Sequence, residues 1–312
     1  MSVSGVSASL GGSFVGGRTT LRGTSGAAQA SIAAAAERLA KANLDVASGK
    51  RIHRPSDDVV GTDKALELRR ALGAEERYAA AGDDAIAWLG TSDTALERGV
   101  STMQRVRDLA VRAAADSMSP AAREAIATEV RQLKGDMLAT ANTTYLGRPV
   151  FGGTTGASVA FAVDGGGVVT ASPGADGRVE RRLAPGVDIR VDTTGTAAFG
   201  DGADSVFAVL DRVVAAATTG SAASSAVIAD VDGALGRLST ARTDVGTRYA
   251  RVQQLQVTGT QRELSLTSAK QDVEEVDLAK ALMELAAQDK AYQAALGAAA
   301  KVVTPSIMDF LR

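Results

Sequence analysis

The stretch Asp272–Arg312, DVEEVDLAKALMELAAQDKAYQAALGAAAKVVTPSIMDFLR, decides the fold. Leu282, Leu285, Asp289, Tyr292, Leu296, Ala299 and Val303 recur at alternating spacings of three and four residues, the a/d seam of a coiled coil. Glu284, Gln288, Lys290 and Gln293 fall off that seam, and Asp289 is its one polar member. Pro305 ends the helix, because a proline has no N–H and disfavours helical geometry in the residue before it. An apolar tail, Ile307-Met308-Asp309-Phe310-Leu311, follows. An apolar stripe carried to a chain end must be covered. The expected cover is the N-terminal helix together with neighbouring copies of the same chain; a helix packed wholly inside its own domain is the plainer alternative.

That N-terminal helix spans Ala27 to Ala47, where alanine dominates and Ile32, Leu39 and Val46 recur every seven residues. Alanine methyls bury little area, so such a seam holds two helices only weakly at roughly 25 cal/mol per Å2. Residues 1–26 are rich in Ser, Gly and Thr and read as a flexible segment. Ser48-Gly49 stops the helix, and a polar loop runs to Asp63, with Thr62 or Asp63 expected to cap the next helix.

A long helix is expected from Asp63 to Ala115, with Leu89, Leu96, Met103 and Ala110 spaced by seven and Trp88, the single tryptophan, anchoring them. Ser119 and Pro120 give an N-cap and a first-turn proline for a helix carrying Ile126, Val130, Leu133, Met137 and Leu138 on one face. From residue 148 to 202 the chain turns Gly-, Thr- and Val-rich, with alternating runs around Val159–Val163, Val168–Ala171, Val179–Arg181 and Val187–Val191. Gly165–Gly167 lacks the lysine and the strand–loop–helix setting of a phosphate loop and reads as a hairpin turn. Helix resumes at Asp204–Ala217 and again over Ala226–Val303.

The fold class is therefore mainly α with a small β insert. The terminal helices (27–50 and 272–312) form a coiled coil. Residues 51–147 and 203–271 form a long-helix bundle, and 148–202 form the central β domain. An exposed insert of this kind is expected to tolerate deletion.

Composition excludes several function classes. With 34 basic and 36 acidic residues there is no basic excess for nucleic acid. The absence of cysteine removes disulfides and thiolate sites, and a single histidine, His53, removes a His-cluster metal site. At 4% aromatic content, a large aromatic core or ligand cage is not expected. No apolar run is long enough for a membrane span, and the opening MSVSGVSASLGGSF is not a secretory leader. Asp83-Asp84 read as a solvated helix face, and Asp57-Asp58 as acidic groups ahead of a helix. No acidic partner for His53 is evident nearby. No catalytic, cofactor or metal site emerges.

The loop Ser48–Gly61, SGKRIHRPSDDVVG, resembles the SGKRI-x-RPSDDP-x-G loop of the bacterial flagellin superfamily, with Val59 in place of the usual proline. The motif residues are Ser48, Gly49, Lys50, Arg51, Ile52, Arg54, Pro55, Ser56, Asp57, Asp58 and Gly61. Asp84–Leu96 (DAIAWLGTSDTAL), Ala141–Gly153 (ANTTYLGRPVFGG) and Pro305–Arg312 (PSIMDFLR) resemble further motifs of that family. Arg54-Pro-Ser-Asp-Asp58 is similar to its hook-junction members rather than to filament subunits.

The resemblance implies a structural subunit, without enzymatic activity or cofactor, exported through the flagellum's own channel and placed at the hook–filament junction. It implies self-association in a tube, contacts with a neighbouring hook-junction protein and with flagellin, and an export chaperone. The assembly interface is expected at Ile32, Leu39, Val46, Leu282, Leu285, Tyr292, Leu296, Val303, Phe310 and Leu311. A filament flagellin is the alternative of the same class, and a cytoplasmic signalling coiled coil that of another.

Overall fold

The structure is a computed structural model that describes residues 21–114, 118–219 and 224–303. The expected flexibility of residues 1–20, the helix stop at Pro305 and the tail ending in Phe310 and Leu311 lie outside the described residues. Two compact units are present. One draws on residues up to Glu67 and from Ser268 onward, the other on Leu68–Thr267.

In the first unit, α1 (Leu21–Ser48) packs on α7 (Leu278–Val303). Helix α1 begins six residues earlier than expected from sequence (Leu21 rather than Ala27), because the alanine run that follows carries the helix back through Thr24-Ser25-Gly26 once it has nucleated. Among its half-buried and buried positions, Ala28, Ile32, Ala35, Leu39, Ala42 and Val46 form an unbroken heptad seam.

The run expected as one helix over 226–303 is broken. Helix α6 (Ser224–Glu274) ends, and α7 starts only at Leu278. Between them Glu275 forms an antiparallel bridge with Lys50, just after α1, so α1 and α7 run antiparallel. Arg51 N–H donates to the Glu274 carbonyl at 2.8 Å and Val276 N–H to the Gly49 carbonyl at 3.1 Å. Asp277 then caps α7, its Oδ1 accepting from the N–H groups of Ala279 (2.9 Å) and Lys280 (3.2 Å). Backbone pairing with a segment far away in sequence thus overrides local helix propensity.

In the second unit the bundle is made of α2 (Val59–Ala113), α3 (Pro120–Ala141), α5 (Val206–Thr219) and α6. As expected, Ser119 is the N-cap of α3, its Oγ accepting from Ala122 N–H, with Pro120 in the first turn. The 3.6-residue period places Trp88, Leu89, Leu96 and Met103 of α2, Val130 and Met137 of α3, Leu210 and Val213 of α5, and Leu238 and Val245 of α6 in one core. Ion pairs such as Arg105–Glu129, Lys134–Asp211 and Arg242–Asp93 lie on the bundle surface; exposed pairs add little stability.

The β region is three separate two-stranded hairpins: β1 (Thr144–Tyr145) with β2 (Arg148–Pro149), β3 (Phe161–Val163) with β4 (Val169–Ala171), and β5 (Glu180–Ala184) with β6 (Val187–Arg190). Gly165–Gly167 is the turn of the second hairpin, with Asp164 Oδ1 accepting from Gly166 and Val168 N–H. A short helix, α4 (Gly195–Phe199), follows.

The expectation of no aromatic core is corrected here. Four of the six phenylalanines converge: Phe199 meets Phe151 edge-on at 5.1 Å and Phe161 at 5.6 Å, and Phe161 lies 5.4 Å from Phe207 of α5. The aromatics are few but concentrated at one place. All four are buried and continuous with the helical core, so the insert is not an exposed excursion. Asn142, which caps α3, fastens it further: its Nδ2 donates to the Phe161 carbonyl (2.9 Å) and its Oδ1 accepts from Phe161 N–H (2.8 Å). Trp88 sits 2% exposed, edge-on to Tyr145 at 5.8 Å, with the Arg148 guanidinium 5.7 Å from its ring centre.

Candidate functional site

The site is the antiparallel pair α1–α7 and the loop Gly49–Asp58 that closes it. On α7 the inward row is Ala281, Leu285, Gln288, Tyr292, Ala295 and Ala299, at spacings of four and three. Of the expected seam, Leu285, Tyr292 and Ala299 face α1. Leu282, Asp289 and Leu296 are exposed at the edge of the pair, Leu282 and Asp289 beside Leu39 and Asn43 of α1; each lies one position C-terminal to an inward residue. Leu282 is 54% exposed and Leu296 41%, and Leu278 and Met283 are exposed beside them. Val303 closes α7, and its side chain, like Phe310 and Leu311, lies outside the described residues.

The reason lies in side-chain size. Both rows flanking the common positions 285, 292 and 299 are largely apolar, so periodicity alone does not choose between them. The partner face of α1 presents Ala35 (5% exposed) and Ala42 (6%), and on α7 Ala281 (7%) and Ala299 (8%) are likewise buried. The most buried positions on both helices are alanines, while Leu285 and Tyr292 are half-buried between them and Leu282 and Leu296 are left exposed. Ile32, Leu39 and Val46 are half-buried in this seam, as expected, while Ala35 and Ala42 were missed. Their signal was present: Ala28, Ala35 and Ala42 repeat every seven residues between the larger apolar positions.

The loop is held by its own polar groups and by bonds to α1 and to the segment around Val273–Val276. Gly49 turns the chain out of α1 with φ +68°, a region open to glycine at little cost. Asp57 Oδ2 accepts from the N–H groups of His53 (3.1 Å) and Arg54 (2.9 Å). Asp58 caps α2, its Oδ1 accepting from Gly61 N–H at 2.8 Å, in place of the expected Thr62 or Asp63. The other Asp58 oxygen is 3.1 Å from Arg51, whose Nη2 also donates to the Val273 carbonyl. Gly61 is required by space: a Cβ there would lie 2.5 Å from Asp58 Oδ2 and 2.6 Å from Ile52 Cδ1. His53 does have an acidic partner, Asp45 of α1, with Nε2 to Oδ1 at 2.8 Å. That contact is eight residues away along the chain and closes only because the loop folds back on α1.

Backbone N–H groups of Arg54 and His53 hold the Asp57 carboxyl below its usual pKa, and the Gly61 N–H does the same for Asp58, aided by Arg51. A depressed folded-state value means that this stabilisation is fully present above the ordinary aspartate pKa of about 3.9 and is lost as pH falls through the folded-state values. Amide hydrogen-exchange protection at His53, Arg54 and Gly61 is therefore expected to be constant from pH 7 to about 5 and to fall below about 4. In Asp58→Asn the Gly61 amide should show weakened protection and a smaller acid response; an unchanged acid response in that variant would assign the effect elsewhere.

Among the described residues no group of His, Cys, Asp and Glu is placed to hold a metal ion, and no helix is long and apolar enough to cross a membrane. What the pair offers is an outward row of apolar side chains, Leu278, Leu282, Met283 and Leu296.

In its paired terminal helices and the SGKRI–RPSDD sequence of the closing loop the chain is similar to flagellin-like proteins. Residues 22–155 match the family model of the bacterial flagellin N-terminal helical region. The chain is 26% identical over 270 residues to flagellar hook-associated protein 3 of Escherichia coli K12, spanning 80% of this chain and 85% of that one. A flagellin from Clostridium tyrobutyricum is 34% identical over 104 residues, 33% of this chain and 28% of the flagellin. The solved structure of a putative flagellar hook-associated protein from Vibrio parahaemolyticus shares the fold, with a TM-score of 0.64 and 20% identity, covering 70% of this chain and all of that one.

Proposed function

We propose that this chain is a structural subunit of the bacterial flagellum at the junction between hook and filament. The observation that carries this reading is coverage. Similarity to hook-associated protein 3 extends over four-fifths of the chain, whereas similarity to the flagellin covers one third. The role is structural and extracellular, in an assembly with neighbours of the flagellin family. The site that serves it is the outward face of α7, led by Leu282 and Leu296. Ile32, Leu39, Val46, Leu285 and Tyr292 hold α7 to α1 so that this face is presented. Export with a dedicated chaperone, and contacts to a neighbouring hook-junction protein on one side and flagellin on the other, complete the proposal.

Immunogold labelling of purified hook–filament structures tests it. A narrow band at the hook–filament boundary is expected. Labelling along the whole filament would identify a filament subunit instead, and absence of label from both would remove the flagellar assignment.

A further inference from the structure

A cleft of about 380 Å3 in the second unit lies between the end of β6, the turn after it, and one face of α6. From α6 it receives Arg237, Thr240, Asp244 and Arg248, which at spacings of three and four share one helical face. From the β region it receives Arg190 and Thr193. Two buried polar atoms in this cleft have no hydrogen-bond partner among the described residues, Thr193 Oγ1 and Arg237 Nε. Thr193 is only 5% exposed. A buried hydroxyl or guanidinium N–H without a partner costs free energy, and native proteins rarely leave two at one place.

The charge at the cleft is uneven. Three arginines line it, against the Asp244 carboxylate and that of Asp192, which is fully buried and already engaged by Arg190 in two parallel bonds of 3.0 Å. Arg248 spends one donor on the Asp192 carbonyl at 2.6 Å, and Arg237 spends one on the Asp204 carbonyl. An arginine carries five N–H donors, so both retain donors, and Asp244 makes no hydrogen bond or ion pair with either. Forked donors with a neighbouring hydroxyl match the oxygens of a planar or tetrahedral anion.

We propose that this cleft is an oxyanion-binding site, taking a carboxylate or phosphate-type group between Arg237, Arg248 and the Thr193 hydroxyl. Two sources supply that chemistry: a free inorganic anion, or an acidic side chain presented by a second copy of the chain in the assembly. The site is built from residues of the second unit alone and does not depend on the junction reading.

The full chain is melted in increasing inorganic phosphate, with sodium chloride at matched ionic strength as reference. At ten times its Kd, phosphate should raise the Tm of the wild-type second unit by about 3–6 °C over the chloride reference. Thr193→Val keeps the shape and removes only an unpartnered hydroxyl, so without phosphate it should melt at or above the wild-type temperature. Its phosphate increment, and that of Arg237→Gln, should fall to less than half. Absence of a phosphate-specific increment in the wild type, or an undiminished one in both variants, overturns the proposal. Sedimentation of the concentrated chain then separates the sources. Phosphate that weakens self-association identifies a second copy's acidic side chain as the occupant, and unchanged self-association identifies a free anion; both outcomes require the site.

Discussion

Phe199→Ala is expected to destabilise the second unit by about 3–5 kcal/mol. Phe199 is fully buried and touches Phe151, Phe161 and Phe207, so truncation removes a large apolar surface and opens a cavity at the centre of the cluster. Relaxation should fill little of it, because Asn142 fixes β3 to the end of α3 and the surrounding core is continuous with Leu210 and Leu238. Phe199→Leu, which keeps much of the volume, should cost well under half as much. Removing residues 151–200 altogether strips Phe151, Phe161 and Phe199 from the core and leaves Phe207 of α5 exposed, so the deletion variant should fail to fold cooperatively. Calorimetry of the purified chains decides the matter. A deletion variant that retains a sharp transition near the wild-type temperature would show that the hairpins contribute no core, contrary to their burial.

The second large effect is expected on assembly rather than on folding. In Leu296→Asp and Leu282→Asp the new carboxylate replaces an exposed leucine outside the row of buried alanines, so the helicity and melting of the isolated chain should change little. In the assembly each subunit repeats the loss of a covered leucine, worth roughly 1.5–3 kcal/mol if fully buried, and adds the cost of a desolvated charge. Cells carrying the double variant should make hooks, shed filament protein into the medium and be non-motile. Leu296→Met should be near wild type. Ala281→Asp provides the contrast, since its carboxylate enters the seam against α1 and should unfold the helix pair in the isolated chain. If Leu296→Asp instead melts the helix pair and leaves motility intact, the outward row is not the assembly face.

The contrast between Leu296 and Ala281 marks where sequence reading stops. Periodicity is local, so the seven-residue repeats Ile32–Leu39–Val46 and Leu285–Tyr292–Ala299 were legible and do face each other's helix. The choice between the alternate rows 281–288–295 and 282–289–296 was not. A heptad flanked by apolar residues on both sides fits either rotation of the helix, and only the alanines of the partner decide which row fits closer.

Local chemistry likewise fixed the Ser119–Pro120 helix start, the Gly165–Gly167 turn and the placement of acidic groups ahead of α2, because each rests on contacts a few residues apart. The break at Glu275–Asp277 was hidden, since its cause is backbone pairing with Gly49–Arg51 more than two hundred residues away. The phenylalanine cluster was hidden for the same reason: a composition of six phenylalanines says nothing of where they meet. The sequence by itself determined the helical periods, the Ser119–Pro120 start of α3 and the flagellin-like loop. The tertiary structure alone decided which face of α7 is left outward and that the β hairpins share the helical core, because both depend on the size and shape of what packs opposite.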